Sequence, residues 1–443
     1  FWHDGDFTAV AEVASDLVKA GTMTANPDPE LGVRIAIATA LAGQRMPAPA
    51  GAAAREAPWN PTVAARALAE AGDHLVPVPT DALDRALAAL GAQVAGGDEV
   101  AFATLAPALA TLIEDDPSRP GPVRALARIA ERRGQATLAR ALYALLVFAD
   151  PKDAGADRLE ELGPATAAVP EALDALGPTV HVDAAGPLRA ALVTLAAALQ
   201  GFESAVVPSG GDSLRPARAA GLRRLGHLLH APPFAVAVQP AGVPGQSAVI
   251  VAPTRPAVLL VSTEGAELPE REWGFAAARA LEELRSGLAS LSRLAAEELM
   301  AFLQGVAAAL AGTPLPAGAA PRAQAALQWL TESDAVTELP VGDARTRLAA
   351  DVGAVLTDGV NWPAFVAGGV HTANRVGLLV CGSPLDALKL LARGDSVLAA
   401  ASDGGGDEKE RREARRGFLR TSTVRQLVRY LLSDEYAGAL TPA

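Results

Sequence analysis

A single cysteine, Cys381, leaves no partner for an intrachain disulfide in 443 residues, so the fold rests on packing and hydrogen bonding. Disulfide-free chains fit a reducing compartment. The thiol sits in the apolar run VGLLVCG, the setting of a small core residue rather than of a nucleophile. Aromatic residues are scarce, at 4%. With no interleaving of aromatic and basic side chains, an RNA-stacking surface is excluded. Positive charge is short as well. Lys and Arg number 38 against 50 Asp and Glu, a net charge of −12 that argues against a surface built to neutralise phosphates. Basic clusters such as RREARRGFLR (411–420) are diluted by acidic neighbours, here GDEKE. No uninterrupted apolar stretch reaches the roughly 18–20 residues of a membrane span, and no signal peptide opens the chain. These absences point to a cytoplasmic protein with no direct membrane span and no nucleic-acid partner. The opening FWHDGDF lacks an initiator Met and enters mid-pattern, as a segment of a longer chain would.

What is present is Ala and Leu. Half of the chain is hydrophobic, and a mix dominated by these two residues favours closely packed helices. The length accommodates two or three domains. Up to about residue 151 the chain reads as helices separated by Pro and Gly turns. DFTAVAEVASDLVKAG, NPTVAARALAEAG, PTDALDRALAALG and VAFATLAPALATLIEDD each repeat apolar residues at intervals of three and four.

The sharpest pair is VRALARIAERRGQATLARALYALLVFADP (123–151). Ala127 and Ala139 allow two helix backbones to approach, and Gly134 permits a tight turn between them. With Leu126, Ala130, Tyr143 and the closing Pro151, this segment resembles a tetratricopeptide repeat. The opening helix, with Gly5 at the corresponding turn, resembles the second half of another. The resemblance implies a helical-repeat array over 1–151, against which a plain three- or four-helix bundle stands as the alternative.

Residues 152–185, rich in Pro, Ala and Gly, read as a linker with short helices. Helices follow at 186–202 and 213–230. FAVAVQP, SAVIVAP and AVLLVST (234–240, 247–253, 257–263) are β-rich runs between Pro and Gly turns and predict a three-strand sheet. Beyond 268 the pattern is helical again. SDGGGDEKERR (402–412) reads as a disordered loop, and 421–440 as an amphipathic helix with Leu427, Tyr430, Leu431 and Leu432 on its apolar side, docked on its domain.

Two segments carry a second resemblance. AVLLVSTEGAELPEREWGFAAARALEELRSGL and, later, VHTANRVGLLVCG are similar to the peptidase domain of the heat-shock endopeptidases and CAAX prenyl endopeptidases. In those zincins two His one turn apart and a later Glu hold zinc, with a Glu beside the first His as general base. Scaffold positions match at Phe275, Leu281, Leu284, Ser286 and Gly287, and again at Ala373, Arg375, Gly377 and Leu378. The functional positions do not. Arg279 and Glu283 stand where the two His belong, Ala280 where the base belongs, Val370 at the later Glu and Asn374 at its acidic neighbour. Arg, Ala and Val give zinc no ligand, so the resemblance implies a metal-free pseudoenzyme with no catalytic residue and no cofactor. Arg279 and Glu283 are four apart and suited to pair with each other, and with Val370 they are expected to plug the former metal cavity.

The apolar stripe of Phe275, Ala278, Leu281, Leu284 and Leu288 also suits an ordinary amphipathic helix. His227 and His230 have a metal-compatible spacing, with His181 and His371 also available, but no carboxylate or Cys pattern completes a site. PSGGDS (208–213) lacks the Lys of a phosphate loop, and no Gly-x-Ser-x-Gly elbow occurs. The five Trp residues (2, 59, 273, 329, 362) read as packing anchors.

The expected fold is mainly α. A tetratricopeptide-like array (1–151) and a linker (152–185) precede an α+β zincin-like domain (186–443), with its sheet at about 234–263, the former metal helix at about 270–288 and the later helix at about 361–381. That combination resembles large bacterial repeat proteins carrying such a domain at the C-terminus. It implies a non-catalytic interaction scaffold within a larger complex of protein subunits. The alternatives are a metallohydrolase with its metal moved to His227 and His230, and a peptide-binding module that does not cut.

Overall fold

The computed structural model describes residues 7–19, 99–163, 179–202, 214–239, 248–403 and 407–440. The expected helices at 60–72 and 79–91 lie outside these described residues, as do Gly5, Trp2 and Trp59. In chain order the structure begins with helices α1 (Phe7–Lys19), α2 (Glu99–Asp115), α3 (Pro120–Arg132), α4 (Ala136–Ala149), α5 (Gly155–Glu161), α6 (Pro187–Leu195) and α7 (Pro216–Leu228). Strands β1 (Phe234–Gln239), β2 (Val249–Ala252) and β3 (Ala257–Ser262) follow. Then come α8 (Glu270–Arg285), α9 (Ala296–Ala311), α10 (Pro321–Glu332), α11 (Asp343–Asp358), α12 (Trp362–Cys381) and α13 (Pro384–Arg393). The chain ends in α14 (Ser396–Asp403), α15 (Glu408–Leu419), α16 (Ser422–Leu431) and α17 (Asp434–Ala439). The protein is thus mostly helical with one small mixed sheet.

The chain divides into two units, Phe1–Ala165 with Val397–Ala437, and Thr166–Ser396 with the residues from Gly438. The expected second domain of 186–443 is corrected by this division, because residues 397–437 belong with the first unit. In that unit α2, α3, α4 and α5 pack each on the next. The α3–α4 turn is a Schellman motif. Gly134 has φ +71°, Gln135 N donates to Ala130 O (2.9 Å) and Gly134 N to Glu131 O (3.0 Å). Ala127, Ala130 and Ala139 are fully buried between the two helices, and the Tyr143 hydroxyl donates to Glu131 at 2.7 Å.

The expected disorder over 402–412 does not hold at 402–403, which end α14, nor from 407 onward, while 404–406 lie outside the described residues. Asp407 and Glu410 form a reciprocal capping box, with Glu410 N donating to Asp407 Oδ1 (2.8 Å) and Asp407 N to Glu410 Oε2 (3.1 Å). Two orphan amides are satisfied, and the charged run becomes α15. The expected single C-terminal helix is two, α16 and α17, parted at Leu432 and Ser433. α15 lies against α4 and α16 against α2.

The second unit holds the sheet, in the order β1-β3-β2. β1 runs parallel to β3 from Phe234↔Ala257 to Gln239↔Ser262, and β2 antiparallel to it from Val249↔Val261. Central β3 is the most buried strand, with Ala257, Leu259 and Val261 inaccessible. Gln200 ties the first ends of β1 and β3 together. Its amide donates to Pro233 O (2.9 Å) and accepts from Ala257 N (3.2 Å). The main core joins Leu188, Leu192, Leu199, Phe302, Leu303, Val306, Leu330, Leu348, Val352, Trp362 and Phe365 from α6, α9, α10, α11 and the start of α12. Trp329 and Trp362 anchor it by indole donation to Ala198 O and Leu294 O, both at 2.8 Å. Where the sequence offered no uninterrupted apolar stretch of membrane length, α12 is one helix long and apolar enough for a span by length and composition, and most of it is buried inside this unit.

Candidate functional site

Two helices flagged by the sequence, α8 and α12, form the most extensive helix–helix packing among the described residues. Their ends follow from local chemistry. Glu270 and Glu272 in the first turn of α8 and Arg285 in the last complement its dipole. Gly287, at φ +70°, turns the chain beyond α8 and lies against Leu192 and Leu199. α12 opens on Asn361, whose side chain accepts from Ala364 N, with Pro363 in its first turn, and closes at Gly382 (φ +63°).

Small residues bring the two backbones together. A Cβ on Gly377 would sit 2.9 Å from Phe275 O and 3.1 Å from Arg279 Cγ, so this is the point of closest crossing. Gly274 lies opposite Val380, and Gly369 opposite Leu288 just past α8. As numbers rise along α12 they fall along α8, so the helices are antiparallel, and this register sets Val370 and Asn374 level with the last two turns of α8. Ala277, Ala278 and Ala280 of α8 and Ala373 of α12 are buried.

Arg279 Nη2 lies 3.7 Å from Glu283 Oε1, a loose pair with each side chain partly open to solvent. Burial raises the Glu283 pKa above the usual carboxylate value, as does neighbouring Glu282, while Arg279 pulls it down. Ala280 is buried and Val370 half-buried. Asn374 is 1% exposed, and both atoms of its amide are buried without a hydrogen-bond partner, as is Arg279 Nε. A core amide with neither end satisfied is a costly residue to keep.

One turn earlier on α12, His371 meets His181 with ring centroids 5.0 Å apart. His181 N donates to Thr372 Oγ1 (3.0 Å), and Thr372 donates to Gly368 O (2.9 Å). Burial lowers the His371 pKa to about 4, with His181 and Arg375 adding to the effect and Asp183 opposing it. Its imidazole is neutral at pH 7. His227 and His230 are exposed at the end of α7. Among the described residues no three of His, Cys, Asp and Glu converge in a way that could hold a metal ion.

The strongest electrostatic feature here was not singled out in the sequence. Glu282, 1% exposed, accepts from Arg189 Nη2 of α6 (2.5 Å) and from Arg285 Nε (2.8 Å). Glu272, also buried, takes Arg393 Nη2 of α13 at 2.6 Å. The signal for Glu282 was its spacing. Phe275, Ala278 and Glu282 stand at i, i+3 and i+7, so the carboxylate continues a buried stripe. Cys381 is buried too, its thiol pushed up to about 12 by desolvation, with Sγ 3.3 Å from Ser383 O. That thiol is inert at neutral pH.

No protein-family model matches the chain, and neither the curated proteins nor the solved structures contain a match to it. The chemistry of this helix pair is therefore its own witness. It offers a loose ion pair, an unsatisfied amide and two histidines in ring contact, and none of these forms a nucleophile–base couple or a metal-ligand set.

Proposed function

We propose that the chain is a non-catalytic protein–protein interaction scaffold, a subunit of a larger assembly, in which α8 and α12 are the remnant of a zincin-like metal site. The observation that carries this reading is the pairing of α8 with α12. The two segments that resemble the peptidase family meet in antiparallel contact, as a ligand helix and its partner would, yet the positions for ligands hold Arg279, Glu283 and Val370. The consecutive packing of α2 to α5 supports a helical-repeat reading of the first unit, and such stacks offer extended surfaces to other proteins.

Restoring the ligands tests the remnant. The variant Arg279→His, Glu283→His, Val370→Glu is expected to take up about one Co²⁺ or Zn²⁺ per chain, with the visible spectrum of tetrahedral cobalt. A folded variant that binds no metal removes the zincin reading. The scaffold reading is tested by native purification with cross-linking. A partner recovered at fixed stoichiometry supports it, and a partner-free monomer rejects it.

A further inference from the structure

Between α15, the α2–α3 turn and the end of α4, the first unit encloses a cavity of about 180 Å³. Pro117 and Pro120 from the turn and Leu145, Leu146 and Ala149 from α4 make its apolar wall. α15 and α16 are fixed on this part of the unit by charge. Arg420 Nε reaches Asp116 at 3.3 Å and Ser118 Oγ at 3.0 Å. Arg425 Nε donates to Glu114 O (3.0 Å), and Arg429 Nε to the Glu114 carboxylate (2.9 Å).

Most polar groups of the lining are already engaged. Asp153 pairs with Arg124 and accepts from Gly155 N (2.8 Å). Asp150 pairs with Arg412 at 3.2 Å and accepts from Lys152 N (3.1 Å). Ser118 Oγ donates to Asp116 Oδ1 (2.5 Å) while it accepts from Arg420. Arg416 is left over. This half-buried side chain of α15 lines the cavity, yet it makes no hydrogen bond or ion pair among the described residues, and its Nε is buried without a partner. A buried guanidinium nitrogen with nothing to donate to is costly to keep. Around the cavity Arg124, Arg412 and Arg416 stand against Asp150 and Asp153, an excess of one positive charge. α3 begins in the wall at Pro120 with no side-chain cap, and the positive pole of its dipole adds to that excess.

We propose that this cavity binds a small organic carboxylate. The carboxylate is taken by Arg416, and a short aliphatic chain lies against Leu145, Leu146 and Ala149. A planar guanidinium receives a carboxylate on two parallel hydrogen bonds, and the apolar wall rewards a tail that a bare oxyanion lacks. The volume holds about six water-sized groups, the size of butyrate. A cation finds no free carboxylate here, because both are paired with arginines. The site lies away from the α8–α12 pair in sequence and in unit, and the inference is independent of the scaffold reading.

Thermal melts of the full-length chain test it, with butyrate, its uncharged analogue butyramide and inorganic phosphate compared at constant ionic strength. Butyrate is expected to raise Tm saturably, butyramide not at all, and phosphate less than butyrate. Arg416→Met has no protein contact of its guanidinium to lose, so it is expected to fold and to weaken butyrate binding at least about tenfold by calorimetry. Ala149→Leu fills the apolar wall while leaving Arg416 in place, and is expected to abolish the butyrate shift. Should either variant fail to fold, the comparison of butyrate with butyramide on the unaltered chain decides. No saturable shift with butyrate, or an equal one with butyramide, overturns the proposal. So does a folded Arg416→Met protein that binds butyrate as tightly as before, and a phosphate shift that matches that of butyrate overturns the ligand class.

Discussion

Removing the Glu282 carboxylate is the perturbation with the largest consequence that can be worked from this structure. Glu282 accepts from two guanidinium groups, and the three side chains are 1% (Glu282), 9% (Arg189) and 14% (Arg285) exposed. Breaking a buried ion pair from one side leaves an uncompensated charge and costs about 3–5 kcal/mol. Glu282→Ala strands Arg189, which has a second guanidinium nitrogen, Nη1, already without a partner, whereas Arg285 stands in the last turn of α8 and is the more open of the two. The expected loss is therefore in that range, seen as a lowering of Tm by about 10 °C for a unit of this size. Arg189→Met is the milder change. It leaves Glu282 bound to Arg285 and forfeits one charge-assisted hydrogen bond, about 1.5–3 kcal/mol. The double variant Glu282→Leu with Arg189→Met fills the space without charge and is expected to recover most of the loss, because an apolar replacement of a whole buried pair is often neutral or stabilising. Urea denaturation of the unaltered protein, Glu282→Leu, Arg189→Met and the double variant closes the cycle, with Glu282→Ala measured beside it. If Glu282→Ala costs under about 1 kcal/mol, or if the double variant loses the sum of the single ones, the reasoning is refuted.

His371 titrates at about 4 in the fold against 6.5 ordinarily, so its contribution to stability is complete above pH 6.5 and is lost as pH falls toward 4. At about 1.36 kcal/mol per pH unit that gap is worth up to about 3 kcal/mol, and His371→Phe should flatten the acid limb of a stability–pH profile. Glu283 has the opposite sign. Its raised pKa favours the protonated carboxyl, so it costs stability as pH rises through that value, and Glu283→Gln should gain stability at pH 7 but not below pH 4 in thermal melts. Gly305→Ala would place a Cβ 2.3 Å from Ala323 O and 2.7 Å from Ala326 Cβ, forcing α9 from α10 at about 1–3 kcal/mol in urea denaturation. Gly369→Ala meets only the far end of the Leu288 side chain and should cost less.

The helices and strands were legible because apolar spacing states its period directly. All three β-rich runs became strands, and 123–151 became a hairpin turned at Gly134. The α8–α12 contact was readable for a related reason. Both segments carry small residues at the positions where one backbone must approach another, and Gly377 against Phe275 is that approach. What the sequence concealed was partnership over distance. Nothing local to Glu114 announces Arg425 and Arg429, over 300 residues away, so the C-terminal helices were assigned to the domain before them in the chain. The charged run after 406 misled for the reverse reason. Its composition resembles disorder, while the decisive signal was a two-residue one, Asp407 and Glu410 three apart.

The same contrast bears on the candidate site. A metal centre holds two helices together by its ligands, so a pair that lacks ligands must be held by something else. Here Gly377 and the alanines around it supply close packing, and Glu282 and Glu272 tie α8 to α6 and α13 through Arg189 and Arg393. Glu283 and Val370 take no part in these contacts, whereas the stem of Arg279 lies against Gly377 at the closest crossing. Of the three substitutions that restore ligands, Arg279→His is therefore the one that touches the packing, and measured alone it separates a loss of packing from a failure to bind metal.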